Sequence, residues 1–382
     1  MKVLVTFGTR PEAIKMVPVV RALKQQPGTD VVVCVTGQHR ELLQQVLDLF
    51  AITPDYDLSI MKDARGLTDI TSLMLKRFEP ILTRTRPDRV LVHGDTATTL
   101  AASLAAYYQK IPVGHVEAGL RTGDIYQPWP EEINRRIADV ISDLYFAPTQ
   151  WAHDNLISEN KPRDRVFITG NTVIDALFWA LEIIDSDPTL AGALARRFDF
   201  LPAGRRFLLV TCHRRENFGA PIRDICRAIR DIAATHDLDV VFPVHPNPEV
   251  RGPVDDILGR TSGIHLVDPL DYLPFVYLLR RSHAILTDSG GIQEEAPSLG
   301  KPVFVVRNVT ERPEAVEAGT VRLAGTSYEQ IVTVVGSVLG SGDAYRAMST
   351  GRNPYGDGRA SHHIADIVCG RTNAVRTIEA VA

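Results

Sequence analysis

The stretch Ala-Ile-Leu-Thr-Asp-Ser-Gly-Gly-Ile-Gln-Glu-Glu-Ala-Pro, residues 284–297, joins an apolar strand to a helix through two glycines. Because Gly290 and Gly291 have no Cβ, a phosphate can approach their backbone, and the helix start offers unpaired N–H groups. Glu294 and Glu295, which we place in the first helical turn, would repel phosphate but suit sugar hydroxyls. The pattern predicts a nucleotide site, and an ordinary strand-to-helix turn is the alternative.

The size and composition of the chain limit what it can be. Its 382 residues, 45% of them hydrophobic, are enough for two domains with large cores. A formal net charge of −4 excludes a generally basic nucleic-acid-binding surface, so an anionic ligand must meet a local cluster of cations. The four cysteines lack metal-ligand or disulfide spacing, which favours a reducing compartment. We expect a cytoplasmic protein without signal peptide or membrane span, which binds neither nucleic acid nor membrane.

Short β-branched runs alternate with longer amphipathic runs throughout the chain. This alternation predicts parallel sheets built from strand–helix–strand units. A polar break at residues 188–204 suggests a change of domain between two such series. The predicted strands are 3–7, 31–35, 89–93 and 112–116 in the first series, and 207–212, 240–244, 264–267, 284–287 and 302–306 in the second.

The predicted fold is α/β, with two Rossmann-like doubly wound domains at residues 1–170 and 171–360. Parallel sheets bind ligands beyond the carboxyl ends of their strands, so we expect the two domains to face a central cleft. No Gly-x-Gly-x-x-Gly string follows a predicted strand, which argues against a tightly held nicotinamide cofactor.

Cationic side chains follow predicted strands in both domains. Arg10 lies in the turn after the first strand and Lys15 in the helix that begins near Pro11. This arrangement suits a diphosphate, and a capped helix with solvated charges is the alternative. His213 follows the first strand of the second domain beside two arginines, which favours phosphate contact over a purely structural histidine. With Arg312, these groups form the predicted cation cluster.

Three carboxylates lie at strand ends or at a helix start. Asp95 follows the strand at 89–93 and serves either as a helix cap or as an acid or base. Glu117 ends the next strand, where a buried carboxylate needs a partner or a chemical role. Glu131 shares a helix face with Arg135, and a weak surface ion pair is its alternative. Together, without metal-ligand spacing, they predict acid–base chemistry on a nucleotide sugar.

These motifs together resemble the non-hydrolysing UDP-N-acetylglucosamine 2-epimerases of bacterial surface-polysaccharide synthesis. The resemblance covers nearly the whole chain, and several strings occur in fixed order. They include Phe-Gly-Thr-Arg-Pro-Glu-Ala-Ile-Lys (7–15), Val-His-Gly-Asp-Thr (92–96), Gly-His-Val-Glu-Ala-Gly-Leu-Arg-Thr (114–122), Pro-Glu-Glu-Ile-Asn-Arg (130–135), His-Arg-Arg-Glu-Asn (213–217) and Asp-Ser-Gly-Gly-Ile-Gln-Glu-Glu (288–295).

The resemblance implies a glycosyltransferase-B-like pair of Rossmann-type domains, with a C-terminal helix at about 361–375 that returns to the first domain. It implies reversible conversion of UDP-GlcNAc to UDP-ManNAc without NAD or metal. The implied route is anti elimination of UDP to 2-acetamidoglucal and re-addition, which would supply ManNAc units for cell-surface polysaccharide. The family also implies a homodimer, with UDP-GlcNAc as substrate and as an allosteric activator.

The same resemblance implies residue roles. Asp95, Glu117 and Glu131 match the acid–base set, with no order among them. His213 and Arg10 match the groups that stabilise the departing diphosphate. The other matches to the substrate pocket are Lys15, Arg135, Phe275, Ser289, Gly290, Gly291, Glu295 and Arg312. The matches to the regulatory site are Gln38, His39, Arg214 and His245, and the chain carries Arg65 where the family pattern has Gln.

Other functions fit the same motifs. A 2-epimerase of a modified UDP-sugar, such as UDP-2,3-diacetamido uronic acid, would use the same acid–base set. A UDP-sugar glycosyltransferase would share the fold and the UDP pocket but needs an acceptor groove. A hydrolysing epimerase would release free ManNAc, and relatives of that kind usually carry a fused kinase domain. A non-catalytic UDP-sugar sensor is expected to have lost a catalytic residue, whereas Asp95, Glu117, Glu131 and His213 are all present.

Overall fold

The computed structural model describes residues 1–38 and 40–371. The chain divides into two compact units, which we call unit 1 (Met1–Ala176 and the segment from Tyr355 onward) and unit 2 (Leu177–Pro354). The division falls inside the continuous helix Thr172–Ser186, upstream of the polar break at 188–204.

Unit 1 contains a parallel sheet of seven strands among the described residues. The strands are β1 (Lys2–Phe7), β2 (Asp30–Val35), β3 (Tyr56–Asp57), β4 (Arg89–His93), β5 (Val113–Val116), β6 (Leu144–Ala147) and β7 (Val166–Ile168). Their spatial order is β3-β2-β1-β4-β5-β6-β7. The order changes direction between β1 and β4, and such switch points are where doubly wound sheets bind ligands.

Unit 2 contains a parallel sheet of six strands among its described residues. The strands are β8 (Phe207–Thr211), β9 (Asp239–Pro243), β10 (Ile264–Val267), β11 (Ala284–Thr287), β12 (Val303–Val305) and β13 (Val321–Leu323). Their order is β10-β9-β8-β11-β12-β13, so the switch point lies between β8 and β11. The predicted fold class, two doubly wound α/β units, is confirmed.

Helices connect these strands. They are α1 (Arg10–Lys24), α2 (Arg40–Leu49), α3 (Leu67–Thr85), α4 (Ala97–Tyr108), α5 (Glu131–Ile141), α6 (Gln150–Ser158), α7 (Thr172–Ser186), α8 (Pro188–Arg197), α9 (Ala220–His236), α10 (Pro248–Leu258), α11 (Tyr272–Arg281), α12 (Gly290–Glu295), α13 (Pro313–Glu317), α14 (Tyr328–Leu339), α15 (Gly342–Thr350) and α16 (Ala360–Val368). Helix α7 contains the boundary between the units, and α16 belongs to unit 1.

Helix α16 is fixed to unit 1 by polar contacts. Asp366 accepts a hydrogen bond from Gln26 Nε2 at 2.8 Å, just beyond the end of α1. The buried Asp175 accepts from the backbone N–H of Ser361 at 2.8 Å, at the start of α16. Residues 372–375 of the predicted C-terminal helix lie outside the described residues.

Three general features of the described residues bear on function. No helix in this part of the chain is both long and apolar enough to cross a bilayer. Nor do residues 1–38 and 40–371 contain a group of three or more His, Cys, Asp or Glu side chains arranged to hold a metal ion. All four cysteines are free thiols, and Cys369 is partly exposed whereas the other three are buried.

Candidate active site

The turn between β1 and α1 is fixed by a buried glutamate, and Arg10, predicted to lie in this turn, is instead the first residue of α1. Glu12 Oε2 accepts hydrogen bonds from the backbone N–H groups of Gly8 at 3.0 Å and Thr9 at 2.8 Å. Glu12 Oε1 accepts from Thr96 Oγ1 at 2.7 Å, in the turn after β4. Burial raises the pKa of Glu12 although these hydrogen bonds lower it. Glu12 therefore ties together two neighbouring strand ends.

Glu117 directly follows β5, its side chain is only 9% exposed, and three side chains surround its carboxylate. Lys15 Nζ forms an ion pair with Oε2, Asn171 Nδ2 donates to the same oxygen at 2.8 Å, and His93 Nε2 lies 3.7 Å away. Burial raises the pKa of Glu117, but Lys15 and His93 outweigh burial and hold that pKa well below its usual range. The charge of Lys15, predicted to serve a diphosphate, thus acts directly on this carboxylate.

The backbone of Glu117 is unusual. Its φ is +64°, in the left-handed region that only glycine adopts at no steric cost. A Cβ added at Gly94, the residue before Asp95, would lie 3.6 Å from Glu117 Oε1. The left-handed turn therefore directs the Glu117 side chain toward the turn after β4, and it brings two of the three predicted carboxylates to adjacent strand ends.

His93 is a site residue that the sequence did not predict. It ends β4, is only 4% exposed, and neither ring nitrogen has a hydrogen-bond partner among the described residues. It lies close enough to both Glu117 and Glu12 to lower the pKa of each carboxyl group. The available signal was its place in the string Val-His-Gly-Asp, immediately before Asp95 at a strand end.

Asp95 is attached to helix α5. Its carboxylate accepts a hydrogen bond from Arg135 Nη2, and its backbone oxygen accepts from Asn134 Nδ2 at 2.9 Å. Arg135 Nη1 also lies 3.5 Å from the buried Glu132. Glu131 begins the same helix and is partly exposed, and its carboxylate makes no hydrogen bond or ion pair with any described residue. The alternative of a Glu131–Arg135 surface pair is therefore wrong, because Arg135 turns inward to Asp95.

A buried charge network lies behind these strand ends. His115 Nδ1 is 2.6 Å from Asp139 Oδ1, and His115 Nε2 is 2.7 Å from the backbone oxygen of Gly94. Both ring nitrogens of His115 therefore lie within hydrogen-bond distance of an oxygen atom. Burial raises the pKa of Asp139, but His115 and Arg121 outweigh it and the pKa lies below its usual value. The network fixes Gly94 and thereby the turn that carries Asp95.

In unit 2, Asp288 binds the turn after β8 to the end of β11. Its Oδ2 accepts from the backbone N–H groups of His213 and Arg214, each at 2.8 Å, and from Asn217 Nδ2 at 3.0 Å. The His213 side chain is 47% exposed and stacks on the His245 ring, with centroids 6.0 Å apart. Asp288 was part of the glycine string but was not predicted as a site residue.

Two guanidinium groups approach the glycine turn after β11. A Cβ added at Gly290 would lie 3.8 Å from Nη2 of Arg214 and 3.8 Å from Nη2 of Arg312. Helix α12 begins at Gly290, and Glu294 and Glu295 are its last two residues. The prediction that both lie in the first turn was therefore wrong, because the helix starts at the glycines rather than after them. Glu294 is buried and accepts from Arg312 Nε at 2.5 Å.

The other predicted pocket residues of unit 2 lie around the same turn. Ser289 precedes α12, and its hydroxyl makes no capping hydrogen bond to the helix. A Cβ added at Gly291 would lie 3.6 Å from Glu295 Oε1. Burial and the nearby Glu295 carboxylate together raise the pKa of Tyr272, so the phenol remains a donor beside that carboxylate. Phe275 lies one turn beyond Tyr272 on α11 and is half-buried.

The predicted regulatory residues fall in different places. Gln38 follows β2, and its Oε1 accepts a hydrogen bond at 3.0 Å from a threonine of α4. His39 lies outside the described residues. Arg214 and His245 belong to unit 2, beside the glycine turn and beside His213 respectively. Arg65 is exposed before α3. In unit 2, two regulatory candidates therefore share one cluster with the catalytic candidate.

The two doubly wound α/β units, with carboxylates at the strand ends of one and cations at a glycine turn of the other, place the chain in the class of proteins with a glycosyltransferase-B-like fold. MurG from Acinetobacter baumannii has the same fold, with a TM-score of 0.59 at 13% identity, over 97% of this chain and 100% of that one. The model of the UDP-N-acetylglucosamine 2-epimerase family matches residues 21–369. The chain belongs to this family.

Individual relatives are similar over nearly the full length. UDP-N-acetylglucosamine 2-epimerase from Escherichia coli (strain K12) is 57% identical over 367 residues, 96% of this chain and 98% of that protein. A crystal structure of UDP-GlcNAc 2-epimerase from Neisseria meningitidis bound to UDP-GlcNAc has a TM-score of 0.89 at 50% identity, and the match covers 97% of this chain and 100% of that one. The predicted family is confirmed, and its reaction is epimerisation of UDP-GlcNAc at carbon 2.

Proposed function

We propose that this chain epimerises UDP-GlcNAc to UDP-ManNAc by anti elimination of UDP and re-addition, without hydrolysing the nucleotide sugar. A base removes the C2 proton while the C1–O bond breaks, which gives 2-acetamidoglucal and UDP. Delivery of a proton to the opposite face of C2 and return of the UDP oxygen to C1 complete the epimer. The observation that carries the proposal is the set of three carboxylates in unit 1, each in a different electrostatic setting.

The settings of the three carboxylates support different roles. Proton removal and delivery on opposite faces of the sugar require two acid–base groups. Glu131, which has no partner among the described residues, and Asp95, which Arg135 orients, are suited to exchange protons. Glu117, whose pKa is held low by Lys15 and His93 against the effect of burial, is suited to remain an anion. We assign proton transfer to Asp95 and Glu131, and a fixed negative charge to Glu117.

The cations of unit 2 support binding of the leaving UDP. Departure of UDP places negative charge on the diphosphate, and preorganised donors stabilise such charge best. Arg214 and Arg312 approach the backbone at Gly290, and the half-exposed His213 follows the neighbouring strand β8. Ser289, Gly290, Gly291, Glu295 and Phe275 would hold the rest of UDP, and Arg10 of unit 1 would contribute a further cation.

We also propose that the protein forms a homodimer through helix α5. Ile133, Ile137 and Val140, spaced at i, i+4 and i+7, are 37%, 37% and 74% exposed. Helix α4 packs beside α5 and ends in the exposed Tyr107 and Tyr108. An exposed apolar stripe of this kind favours a protein partner, and a second copy of this chain satisfies it symmetrically.

The regulatory and metabolic roles belong to the same proposal. A second UDP-GlcNAc would bind as activator at Gln38, Arg214 and His245, and the closeness of His245 to His213 supports coupling between that site and catalysis. The product, UDP-ManNAc, would supply ManNAc units for cell-surface polysaccharide.

The test is NMR of the purified protein with UDP-GlcNAc in D2O, without added cofactor. We expect UDP-ManNAc with deuterium at C2, because the C2 proton is exchanged with solvent during elimination and re-addition. A lag that UDP-GlcNAc relieves when the reaction starts from UDP-ManNAc would support the activator site. Absence of both exchange and epimer would contradict the proposal. Free ManNAc would indicate a hydrolysing enzyme, and UDP-GlcNAc that binds without reacting would indicate a modified-sugar epimerase or a sensor.

A further inference from the structure

The two oxygens of the Asp288 carboxylate have different surroundings. Oδ2 accepts all three hydrogen bonds that hold the turn after β8. Oδ1 is buried and accepts none from the residues that the structure describes. It lies 3.5 Å from Nδ1 of His213. One oxygen therefore builds the turn, while the other faces the imidazole ring that the turn carries.

An unpartnered buried carboxylate oxygen is costly, so it favours any donor within reach. The His213 ring and the Cys212 thiol lie beside the Asp288 carboxylate, and the His245 ring stacks on His213. Burial and the neighbouring Asp288 raise the pKa of Cys212 well above its usual value, so Cys212 remains a thiol and a weak donor. The ring N–H of His213 is the strongest donor available to Oδ1.

We propose that Asp288 is a positioning residue that accepts the Nδ1–H of His213 and so fixes the tautomer of the ring. The inference rests on the role proposed for His213 at the diphosphate. With Nδ1–H held by Asp288, Nε2 is the nitrogen that gains or loses a proton. When Nε2 is protonated, the carboxylate stabilises the imidazolium, and Nε2–H donates to the departing phosphate oxygen.

The variant Asp288→Asn distinguishes the role of Oδ1 from the role of Oδ2. The amide oxygen can take the place of Oδ2 and keep the donors of the turn, while the amide NH2 faces Nδ1 of His213. Nδ1 then becomes an acceptor, and the ring adopts the opposite tautomer without a carboxylate to stabilise its charge. We expect kcat to fall about 100-fold, the lower end of what a positioned proton donor contributes.

The first test is NMR of the full chain with 15N-labelled histidine at mildly alkaline pH, with the His213 signals assigned by their loss in His213→Asn. We expect Nδ1 of His213 to be protonated in the parent and unprotonated in Asp288→Asn. An unprotonated Nδ1 in the parent, or the same tautomer in both proteins, would overturn the proposal. The measurement needs no substrate, so it stands apart from the proposed catalytic role.

A double-mutant cycle is the second test. Asp288→Asn should lower kcat about 100-fold in the parent but less than about threefold in the His213→Asn background, because the two residues act as one unit. Equal losses in both backgrounds would overturn the proposal and leave Asp288 a purely structural residue. If His213→Asn itself kept full activity while the tautomer was as expected, the role of His213 would fail and the Asp288 contact would stand.

The matched control is Asn217→Ala. This variant removes one donor to Oδ2 without touching Oδ1. We expect it to lower the melting temperature but to leave Nδ1 of His213 protonated, which supports the separate roles of the two oxygens. Loss of the Nδ1 proton in this control would show that the tautomer follows the turn as a whole, and it would overturn the assignment to Oδ1.

Discussion

The strand-end clusters of units 1 and 2 differ in how exposed their cations are. In unit 1 the cations are paired with carboxylates that are at most 9% exposed, as Lys15 is with Glu117 and Arg121 with Asp139. In unit 2, His213 and Arg214 are 47% and 32% exposed beside a glycine turn, and the Glu311 that lies 3.8 Å from Arg214 is itself 43% exposed. Arg312 of the same turn differs, because it pairs with the buried Glu294. Proton transfer needs carboxylates held in distinct, dry settings, whereas binding a diphosphate needs cations whose charge is available. The contrast assigns proton chemistry to unit 1 and UDP binding to unit 2.

The largest effect is expected from breaking a buried pair in unit 1. Lys15→Met leaves Glu117 buried without its main counter-charge, which should cost about 3–5 kcal/mol of unfolding free energy and abolish activity. Urea unfolding measures the loss. The double variant Lys15→Met/Glu117→Gln removes both charges and should recover most of the stability. If the single variant were as stable as the double variant, the charge of Lys15 would not be compensating the charge of Glu117.

The same pair gives unit 1 a defined pH dependence. Because the pKa of Glu117 in the folded protein lies well below 4.5, its stabilising contribution is complete above about pH 4.5 and is lost as pH falls through the folded pKa. The stability difference between the parent and Glu117→Gln, from urea unfolding, should stay constant from neutral pH to about 5 and shrink below it. A difference that grows on acidification would have the wrong sign for an ionised Glu117.

A smaller effect is expected at the glycine turn of unit 2. Arg312→Lys keeps the positive charge beside Glu294 but loses the planar fork that suits phosphate, so the Kd for UDP should rise about tenfold. Titration calorimetry with UDP measures this change. Arg322→Lys, at an exposed arginine on the edge strand β13, is the control and should bind UDP as the parent does. Equal affinities of both variants would remove Arg312 from the UDP site.

The smallest effect on chemistry is expected at the apolar stripe of α5. Ile137→Glu places a charge in the proposed dimer contact, where its desolvation is unfavourable. Light scattering coupled to size-exclusion chromatography should give the mass of one chain instead of two. Val309→Glu, at a residue of unit 2 that is 73% exposed, should not change the mass. If both variants remain dimers, the contact lies elsewhere.

The fold was largely predictable from local patterns. Apolar β-branched runs gave the bounds of β4, β10 and β11 as the structure has them, because each run stops at polar or turn-forming residues. The strands β3, β6 and β13 were missed. For β13 the reason is that three residues with an exposed centre carry too little periodicity. The start of α12 was also predicted wrongly, which put Glu294 in the first helical turn, because a helix that begins at glycines gives no local capping signal.

The sequence predicted which residues belong to the candidate site, but it did not predict which of them contact each other. Strand-end position identified Asp95, Glu117 and His213, and the family resemblance that supplied their roles is confirmed at the level of the family. The pairing of Lys15 with Glu117 joins residues 102 positions apart, and that of His213 with Asp288 joins residues 75 positions apart. Such pairings are set by sheet order, which a local pattern does not contain.

The assignment of proton transfer to unit 1 and of UDP binding to unit 2 is tested most directly by deuterium incorporation at C2 of UDP-GlcNAc in D2O. The incorporation is measured for Glu131→Gln at a UDP-GlcNAc concentration that saturates the variant. We predict that incorporation falls about 100- to 10,000-fold while the affinity for UDP stays that of the parent. Incorporation at the parent's rate would contradict the assignment of proton transfer to Glu131. A loss of UDP affinity as large as the loss of exchange would contradict the separation of chemistry in unit 1 from UDP binding in unit 2.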